Sequence, residues 1–438
     1  MNWLTETLEG FGIPESLTLS VLLVLILMGV ATYAPAVLVQ MILGVFALAP
    51  LWLPPLLAYG LWYLWIKYVQ TRFLAKTETV LLEIKVPRDI EKSPRAMELF
   101  FAGIHNVSSG DGTFIARWID GKVRPWWSFE LVSDEGRIRF FVWLRKSLRI
   151  YTESQLYAQY PGIEIYEVPD YALNYGFDLA KHNIWGCNFH LGKADVYPIK
   201  SYIDYGLDKD PKEEYKVDPI AHLFEFLSTL KAGEQAWLQI MVRSNKDQRP
   251  KEGTWFGKEN RWQNEAKDEI KKIKKDATPI MEGPDGTKRP GFMSLSPADE
   301  QKIDSLSRSL EKSAFDTGIR GIYVAKKDSF NGARIAGLTG VFKQFSSGHL
   351  NTIVPSGYHA IFDYPWQEWF DAYNRMSKKI MDAYMRRSWF YPPHKTHWFV
   401  MTSEELATVY HFPSRGILAP GLDRIPARKA EPPPNLPI

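Results

Sequence analysis

The stretch WWSFELVSDEGRIRFFVWL, residues 126–144, predicts a β-hairpin at the centre of the fold. Two runs rich in aromatic and β-branched residues, Trp126–Ser133 and Arg137–Leu144, flank the short segment Asp134-Glu135-Gly136. A short loop with aspartate and glycine between two such runs is typical of a tight hairpin turn. The rest of the fold prediction extends outward from this pair of antiparallel strands.

The segments on either side complete a recognisable order of elements. Val80–Val86 (VLLEIKV) predicts a strand and Arg95–His105 a helix before the hairpin, while Lys146–Tyr160 predicts a helix and Ile163–Val168 a strand after it. The order is β-α-β-β-α-β, which is the split βαβ arrangement of ferredoxin-like folds. We therefore expect a first α+β, ferredoxin-like domain over residues 77–175.

Residues 176–346 predict a second α+β domain of related design. A charged insert, residues 245–295, interrupts it and carries one predicted helix, Asn260–Asp276. The fold class is therefore α+β, with tandem ferredoxin-like domains. The other predicted elements are strands at Cys187–Leu191, Ala194–Lys200, Ala236–Arg243 and Gly318–Lys326, and helices at Pro219–Leu230 and Pro297–Ala314.

The C-terminal part changes character. Residues 347–412 form a helical region in our prediction, and residues 413–438 form a Pro-rich tail that suits a linker or a docking strand. The helices expected from residue 330 onward are Phe330–Ser346, Trp366–Tyr391 and Ser403–Tyr410, the last capped by Ser403.

Residues 1–76 predict a membrane anchor. The segment Ser16–Ile66 carries no charged residue, and a bilayer core needs about 20 apolar residues per helical span. We place transmembrane helices at Leu17–Tyr33 and Val45–Ile66, with three spans as the alternative to two. A secretory signal peptide is disfavoured because the N-terminal flank is acidic and holds no lysine or arginine.

The charged flanks predict the orientation of this anchor. Lys67, Arg72 and Lys76 follow the last span directly, so the positive-inside rule puts the body on the cytoplasmic side whether the spans number two or three. The expected location is the inner, cytoplasmic membrane with the body in the cytoplasm. The single cysteine, Cys187, agrees with a reducing compartment.

The sequence motifs argue against an enzyme. The formal net charge is +3, which is small for a chain of this length and does not indicate a dominant nucleic-acid partner. The sequence lacks a GxxxxGK[ST] loop and a GxSxG nucleophile elbow. The pair His394 and His397 lacks a secure helix that would present both rings to a metal. We expect no catalytic residues, no cofactor and no metal.

Basic residues leave one alternative open. The predicted insert helix carries four lysines close together, Lys271, Lys272, Lys274 and Lys275. Such a cluster is typical of a solvent-exposed helix face, and the alternative is a face that contacts anionic lipid or nucleic acid. Two aromatic-plus-basic clusters, Lys122–Trp127 and Arg386–Tyr391, favour packing onto a core over a nucleic-acid groove. Arg386 and Arg387 are the candidate contacts of the second cluster.

Several segments together resemble a known family. They are VLLEIKVPRDIEKSPRAMELFFAGIH (Val80–His105), ESQLYAQYPGIEIYEVPDY (Glu153–Tyr171), YPIKSYIDYGLDKDPKEEYKVDPI (Tyr197–Ile220), and the ending ELATVYHFPSRG with LDRIPARKAEPPPNLPI. They resemble the membrane-anchored N-terminal region of conjugation-type, type IV secretion-like ATPases of the HerA/FtsK type from candidate-phyla bacteria. In those longer relatives the last stretch leads into the motor domain.

The resemblance implies a function without the motor's activity. No Walker residues are present to carry over, so it implies a non-enzymatic scaffold of a type IV secretion- or DNA-translocation-like system on which a separate ATPase or secretion subunit docks. The alternative is a membrane-tethered DNA-binding protein. The docking strand predicted for the motor consists of Glu431, Pro432, Pro433, Pro434, Asn435, Leu436 and Pro437.

Overall fold

The computed structural model describes most of the chain after residue 31 and divides it into two compact units, residues 1–69 and 70–438. The predicted span Leu17–Tyr33 lies almost wholly outside the described residues, and the tail from residue 426 lies wholly outside them. The described residues are 28, 32–87, 92–106, 113–208, 218–246, 248–250, 258–278, 280–282, 288–290, 294–356, 372–413 and 421–425.

Two apolar helices, α1 (Pro35–Ala47) and α2 (Ala49–Lys76), precede the sheet. Pro35 stands in the first turn of α1, where its missing N–H costs no hydrogen bond. Leu51, Tyr59 and Leu61 on α2 are 75%, 71% and 70% exposed. Within the described residues no single helix meets the length and hydropathy needed to cross a bilayer, whereas α1 and α2, bent by 62° at their break, meet them together.

A ten-stranded, mostly antiparallel sheet forms the centre of the described part of the second unit. The strands of the described residues are β1 (Thr79–Pro87), β2 (Trp127–Asp134), β3 (Arg137–Arg145), β4 (Glu164–Val168), β5 (His182–Leu191), β6 (Glu234–Ser244), β7 (Gln248–Pro250), β8 (Lys258–Asn260), β9 (Ile280–Glu282), β10 (Lys288–Pro290), β11 (Ala314–Lys326), β12 (Ile353–Ser356), β13 (Phe399–Thr402) and β14 (Arg424–Ile425). In the ten-stranded sheet the order is β12-β5-β11-β6-β2-β3-β1-β14, with β13 paired to β11 and β4 paired to β1. The pairs β7–β8 and β9–β10 form two small separate sheets.

The predicted hairpin is confirmed as β2–β3. Asp134 pairs with Arg137 across a two-residue turn, in which Glu135 and Gly136 both have positive φ, 52° and 88°. This is the backbone that a tight hairpin turn requires. On its other edge β2 pairs with β6, from Trp127 opposite Val242 to Asp134 opposite Gln235, so one sheet continues through both halves of the body.

Helices cover both faces of this sheet. Phe100, Leu156 and Phe224 pack with the strands in one large apolar cluster, while Ala172 and Tyr384 belong to a second cluster. The body is therefore an α+β layered structure. Its further helices are α3 (Arg95–His105), α4 (Phe114–Trp118), α5 (Arg149–Gln159), α6 (Tyr171–Asn174), α7 (Ala221–Ser228), α8 (Arg261–Asp276), α9 (Pro297–Leu310), α10 (Ala333–Gly340), α11 (Ala372–Met385) and α12 (Ser403–Val409).

Two predicted elements in the second half are wrong or displaced. The predicted strand Ala194–Lys200 is a turn and irregular segment, which Asn351 holds by donating its side-chain amide to the carbonyls of Ala194 and Tyr197. Side-chain bonds of this kind satisfy the backbone in place of a strand ladder. The observed strand β5 instead begins at His182, five residues before the predicted start.

Three C-terminal helices differ in their bounds from the predictions. The predicted helix Phe330–Ser346 is shorter as α10, and Trp366–Tyr391 is described only as α11, which ends at Met385. The N-cap of α12 is Thr402, rather than Ser403, because Thr402 accepts from the backbone N–H of Glu405 in a capping box.

The predicted insert helix is confirmed as α8, with Asn260 as its N-cap. Trp262 and Ala266 are buried in a cluster with Val196, Leu306 and other apolar side chains, and the Trp262 indole donates to the carbonyl of Asp195 at 3.0 Å. One face of α8 is therefore anchored on the body.

Candidate functional site

Arg387 turns back into the protein just after α11. Its φ is 48°, a left-handed conformation that costs a non-glycine residue about 1–3 kcal/mol. Its backbone N–H donates to the carbonyl of Tyr384 at 2.9 Å, and the residue is 1% exposed. The turn directs a cationic side chain toward the sheet instead of toward solvent.

Two carboxylates surround the Arg387 guanidinium. Nε and Nη2 donate to the two oxygens of Glu130 at 2.9 and 3.0 Å, and Asp170 accepts from Nη1 and Nη2. Burial alone would lower the pKa of Arg387, but the charges and hydrogen bonds of both carboxylates raise it well above its ordinary value. Burial likewise acts to raise the pKa of Glu130, and the Arg387 charge outweighs it and keeps that pKa lowered.

Neutral donors complete the shell of Glu130. Ser128 and Tyr171 donate their hydroxyls at 2.7 Å, and Gln239 donates its amide at 3.0 Å. Burial raises the pKa of Tyr171 far above its usual range. The group formed by Arg387, Glu130 and their partners, the Glu130 cluster, is a satisfied ionic network that joins α11, α6 and β2 rather than a proton-transfer site.

Arg320 is a second buried cation close by, and it lacks a carboxylate partner among the described residues. It donates to Asn188, to Gln239 and to the carbonyl of Ser388 at 3.1–3.2 Å, and its guanidinium lies 5.0 Å from the centroid of the Trp389 ring. Burial lowers its pKa to about 10. Neutral oxygens and an aromatic face therefore replace the ion pair here.

A cavity of about 300 Å³ opens beside the Glu130 cluster. It lies wholly within the unit 70–438 and combines aromatic rings, aliphatic side chains and arginines. Its lining residues are Thr71, Leu74, Ala75, Thr77, Thr79, Trp126, Trp143, Arg145, Asp170, Leu173, Met385, Arg386, Arg387, Ser388, Trp389, Tyr391, Pro392 and Pro393.

Arg145, at the end of β3, is the cation of this cavity without an ion-pair partner in the described part of the chain. It is 9% exposed, and its Nη2 donates to the carbonyls of Val123 and Arg124 at 2.9 and 3.3 Å. Its Nε is buried without a partner. The guanidinium lies 5.4 Å from the centroid of the Phe73 ring and 5.8 Å from that of the Trp126 ring, and burial lowers the pKa of Arg145.

The structure brings the two aromatic-plus-basic clusters of the sequence together at this cavity. The Trp126 indole donates to the carbonyl of Arg387 at 3.1 Å, and the Tyr391 hydroxyl accepts from the backbone N–H of Arg124 at 3.1 Å. These contacts agree with the packing interpretation of both clusters. Arg386 points outward and pairs with Asp382 at 2.7 Å, whereas Arg387 is engaged by Glu130 and Asp170 and is not available to a nucleic-acid phosphate in this structure.

The predicted basic face on α8 lies outside this cavity's lining. Lys271 pairs with Asp268 and Lys272 with Glu269, at 2.9 and 3.3 Å, and Lys274 and Lys275 are exposed in its last turn. The predicted docking residues 431–437 lie outside the described residues.

Sequence reasoning missed Arg145, Glu130 and Arg320 as site residues. A signal was present for Glu130, since a lone carboxylate interrupts the apolar run of β2 and buried carboxylates require partners. Nothing local identified its partner, because Arg387 lies 257 positions further along the chain.

No group of three or more His, Cys, Asp or Glu side chains within the described ranges has the arrangement of a metal site. His394, one of the two histidines considered for metal binding, instead contacts a carboxylate oxygen of Asp382 at 2.6 Å.

The architecture defines an α+β protein built on one continuous, mostly antiparallel sheet. Residues 69–424 match the family described as a domain of unknown function, DUF8128, and the chain therefore belongs to that family. The match begins within α2 and ends at the first residue of β14, so it includes the strands from β1 to β13 and the cavity. No curated protein matches the sequence.

Proposed function

We propose that this protein is a non-enzymatic, membrane-anchored scaffold of a type IV secretion- or DNA-translocation-like system, and that it docks a separate ATPase. The observation that carries the proposal is the direct connection between the apolar helices and the sheet. Helix α2 ends at Lys76 and strand β1 starts at Thr79, so two residues separate the anchor helix from the body.

This connection is held by specific contacts. Thr77 donates its hydroxyl to the carbonyl of Phe73 at 2.9 Å, and the carbonyl of Glu78 accepts from the backbone N–H of Lys146 at 3.0 Å. A flexible tether would need none of these bonds. These bonds stabilise the junction between the last turn of α2 and β1, as suits a platform whose position at the membrane matters to its partner.

Exposed apolar surface supports insertion of α1 and α2. Their described residues hold no charge before Lys67, and each Å² of apolar surface left in water costs about 25 cal/mol. The uncharged part of α2, residues 49–66, extends about 27 Å at 1.5 Å per residue, close to a hydrocarbon core of about 30 Å. With Lys67, Arg72 and Lys76 following the apolar run, the proposed orientation places the body in the cytoplasm of the cell, at its inner membrane.

The strand order supports the proposal that the body consists of two ferredoxin-like halves in tandem. The first half has the order β4-β1-β3-β2, and the second half has the order β12-β5-β11-β6, with antiparallel neighbours in both. In each order the first strand of the half lies between its third and fourth strands, as in a split βαβ unit. The antiparallel pairing of β2 with β6 joins the halves edge to edge.

Co-purification from detergent extract tests the scaffold proposal. The full chain is expected to stay in the membrane pellet through an alkaline carbonate wash and to recover, after solubilisation, an ATPase identified by mass spectrometry. Removing residues 431–437 is expected to reduce that recovery at least fivefold while leaving the chain in the pellet. Release by carbonate, or an extract that never recovers an ATPase or secretion subunit, contradicts the proposal.

Direct DNA binding is the second candidate function. Trp262 anchors α8 on the body, so the helix presents its lysines from a fixed position. Each phosphate contact adds about 0.9 to the slope of log affinity against log salt. Changing Lys271, Lys272, Lys274 and Lys275 together to Gln is then expected to weaken binding and to flatten that slope. An unchanged slope counts against this function.

A further inference from the structure

We propose that the cavity between β1, β3 and the segment after α11 is a binding site for an anionic group carried on an apolar stem, with Arg145 as the anchoring cation. The site is built from residues of the unit 70–438. It goes beyond the scaffold function, because it assigns a ligand to the body itself.

The charge of Arg145 is the first argument. A buried cation normally has a carboxylate beside it, since removal from water costs several kcal/mol that a partner must offset. Arg387 follows that rule with Glu130 and Asp170. Arg320 has no such carboxylate in the described part of the chain, but its Nε, Nη1 and Nη2 each donate to a neutral oxygen. Arg145 is 9% exposed, and among the described residues its acceptors are two backbone carbonyls, both on Nη2. An anion in the cavity supplies the missing charge.

The carboxylate in the lining of the cavity is already engaged by another cation. Asp170 is the acidic residue among the lining side chains, and both of its oxygens accept from Arg387. Glu130 behind it is also engaged by Arg387. The carboxylates near the cavity therefore neutralise Arg387 and leave Arg145 for a ligand.

The walls define the rest of the ligand. Trp126 and Trp143 lie with ring centroids 5.4 Å apart, and Leu74, Ala75 and Met385 add aliphatic surface. A volume of about 300 Å³ is at the lower end of the range for small-molecule sites, about 300–1,000 Å³. The cavity suits a phosphate or carboxylate head with a short apolar stem.

Two sources can supply this chemistry, a membrane phospholipid or a soluble amphiphilic anion. Leu74 and Ala75 belong to α2, and Leu74 follows Lys67 by seven positions, which is about 10 Å along a helix. The lipid source rests on the proposed membrane insertion of α2, whereas the soluble source does not. The experiment therefore has one arm for each.

Isothermal titration calorimetry of the full chain in a non-ionic detergent tests the site. Octyl phosphate is the probe, and octanol and inorganic phosphate are the comparison ligands. We expect octyl phosphate to bind at least tenfold more tightly than either. Arg145→Gln is expected to reduce octyl phosphate affinity at least tenfold and Arg145→Lys to retain an intermediate affinity. Arg137→Gln, at an exposed arginine of β3 outside the cavity's lining, is expected to change it less than twofold.

A second variant keeps the test decisive if Arg145→Gln does not fold. Ala75 is exposed on α2 and lines the cavity, so Ala75→Phe fills the space while Arg145 itself is retained, and it is expected to abolish octyl phosphate binding. Equal octyl phosphate affinity in the wild type and in folded Arg145→Gln or Ala75→Phe overturns the proposal. So does octyl phosphate binding no tighter than octanol.

Vesicles separate the two sources. If the ligand is a phospholipid, phosphatidylglycerol vesicles carrying the full chain reduce octyl phosphate binding, and phosphatidylcholine vesicles do not. Equal binding in both kinds of vesicle assigns the site to a soluble anion. Because neither arm measures ATPase recovery, failure of this site and failure of the scaffold function give different results.

Discussion

Replacing Arg387 with Gln should destabilise the body strongly, because it leaves two carboxylates without their cation. Glu130 is fully buried, and Asp170 has an 18% exposed side chain. Breaking a buried ion pair by removing one partner typically costs about 3–5 kcal/mol. The bidentate geometry to Glu130 puts this change within that range.

The size of the thermal shift follows from the size of the unit. Residues 70–438 have an unfolding entropy of about 0.8 kcal/mol/K at about 2.1 cal/mol/K per residue. A loss of about 3–5 kcal/mol therefore lowers Tm by about 4–6 °C. Thermal unfolding of the full chain in detergent, followed by tryptophan fluorescence, measures this shift.

The neighbouring arginine is the matched control. Arg386 has a 59% exposed side chain and pairs with the half-exposed Asp382, and such surface pairs are worth about 0–1 kcal/mol. Arg386→Gln should therefore lower Tm by about 1 °C or less. The double variant Arg387→Gln with Glu130→Gln should recover part of the loss, because the buried negative charge is removed together with the cation.

Two results would refute this account of the cluster. One is an Arg387→Gln protein that unfolds within 1 °C of the wild type. The other is a double variant as unstable as the sum of its single variants, which would show that Arg387 and Glu130 do not stabilise each other.

Two further perturbations test the packing and the pH dependence. Gly318→Ala should destabilise the body by about 1–3 kcal/mol, because the added Cβ would lie 2.2 Å from the Trp389 ring. Gly332→Ala is the control, since nothing lies within 4 Å of a Cβ added there. Equal Tm values for the two variants would refute the close contact with Trp389. His411 is buried, which lowers its pKa, but Asp218 at 3.0 Å outweighs burial and raises that pKa above 6.5. The stabilisation that the His411–Asp218 pair provides is therefore complete below pH 6.5 and is lost as the pH rises through the raised pKa of His411. The Tm of the wild type should fall as the pH rises from 6.5 through that raised pKa. A fall of the same size in His411→Gln would contradict the assignment of this pH dependence to His411.

The local elements of the first half could be predicted because each is encoded by neighbouring residues. The two runs rich in aromatic and β-branched residues and the Asp134-Glu135-Gly136 loop suffice to predict the β2–β3 hairpin, since turn geometry depends on the turn residues themselves. The helix Arg95–His105 was predicted with the bounds of α3, because its apolar periodicity and helix start lie within a dozen residues.

The second half was less predictable where distant side chains replace local signals. The segment Ala194–Lys200 has strand-like composition, but Asn351 supplies hydrogen bonds to its carbonyls from 150 or more positions away. The end of α11 likewise depends on Arg387 adopting a left-handed turn, which its burial against Glu130 and Asp170 stabilises. Tertiary contacts outweigh local propensity in both cases.

The sequence by itself determined the α+β class, the order of the main elements and an uncharged apolar run before the body. These depend on composition and on periods of two or a few residues, which a single chain displays directly. Only the tertiary structure decided that β2 meets β6 to make one sheet, that Arg387 is buried between two carboxylates, and that Arg145 lines a cavity without an ion-pair partner among the described residues. Pairing between residues more than a hundred positions apart depends on which surfaces exclude water together, and no local pattern records that choice.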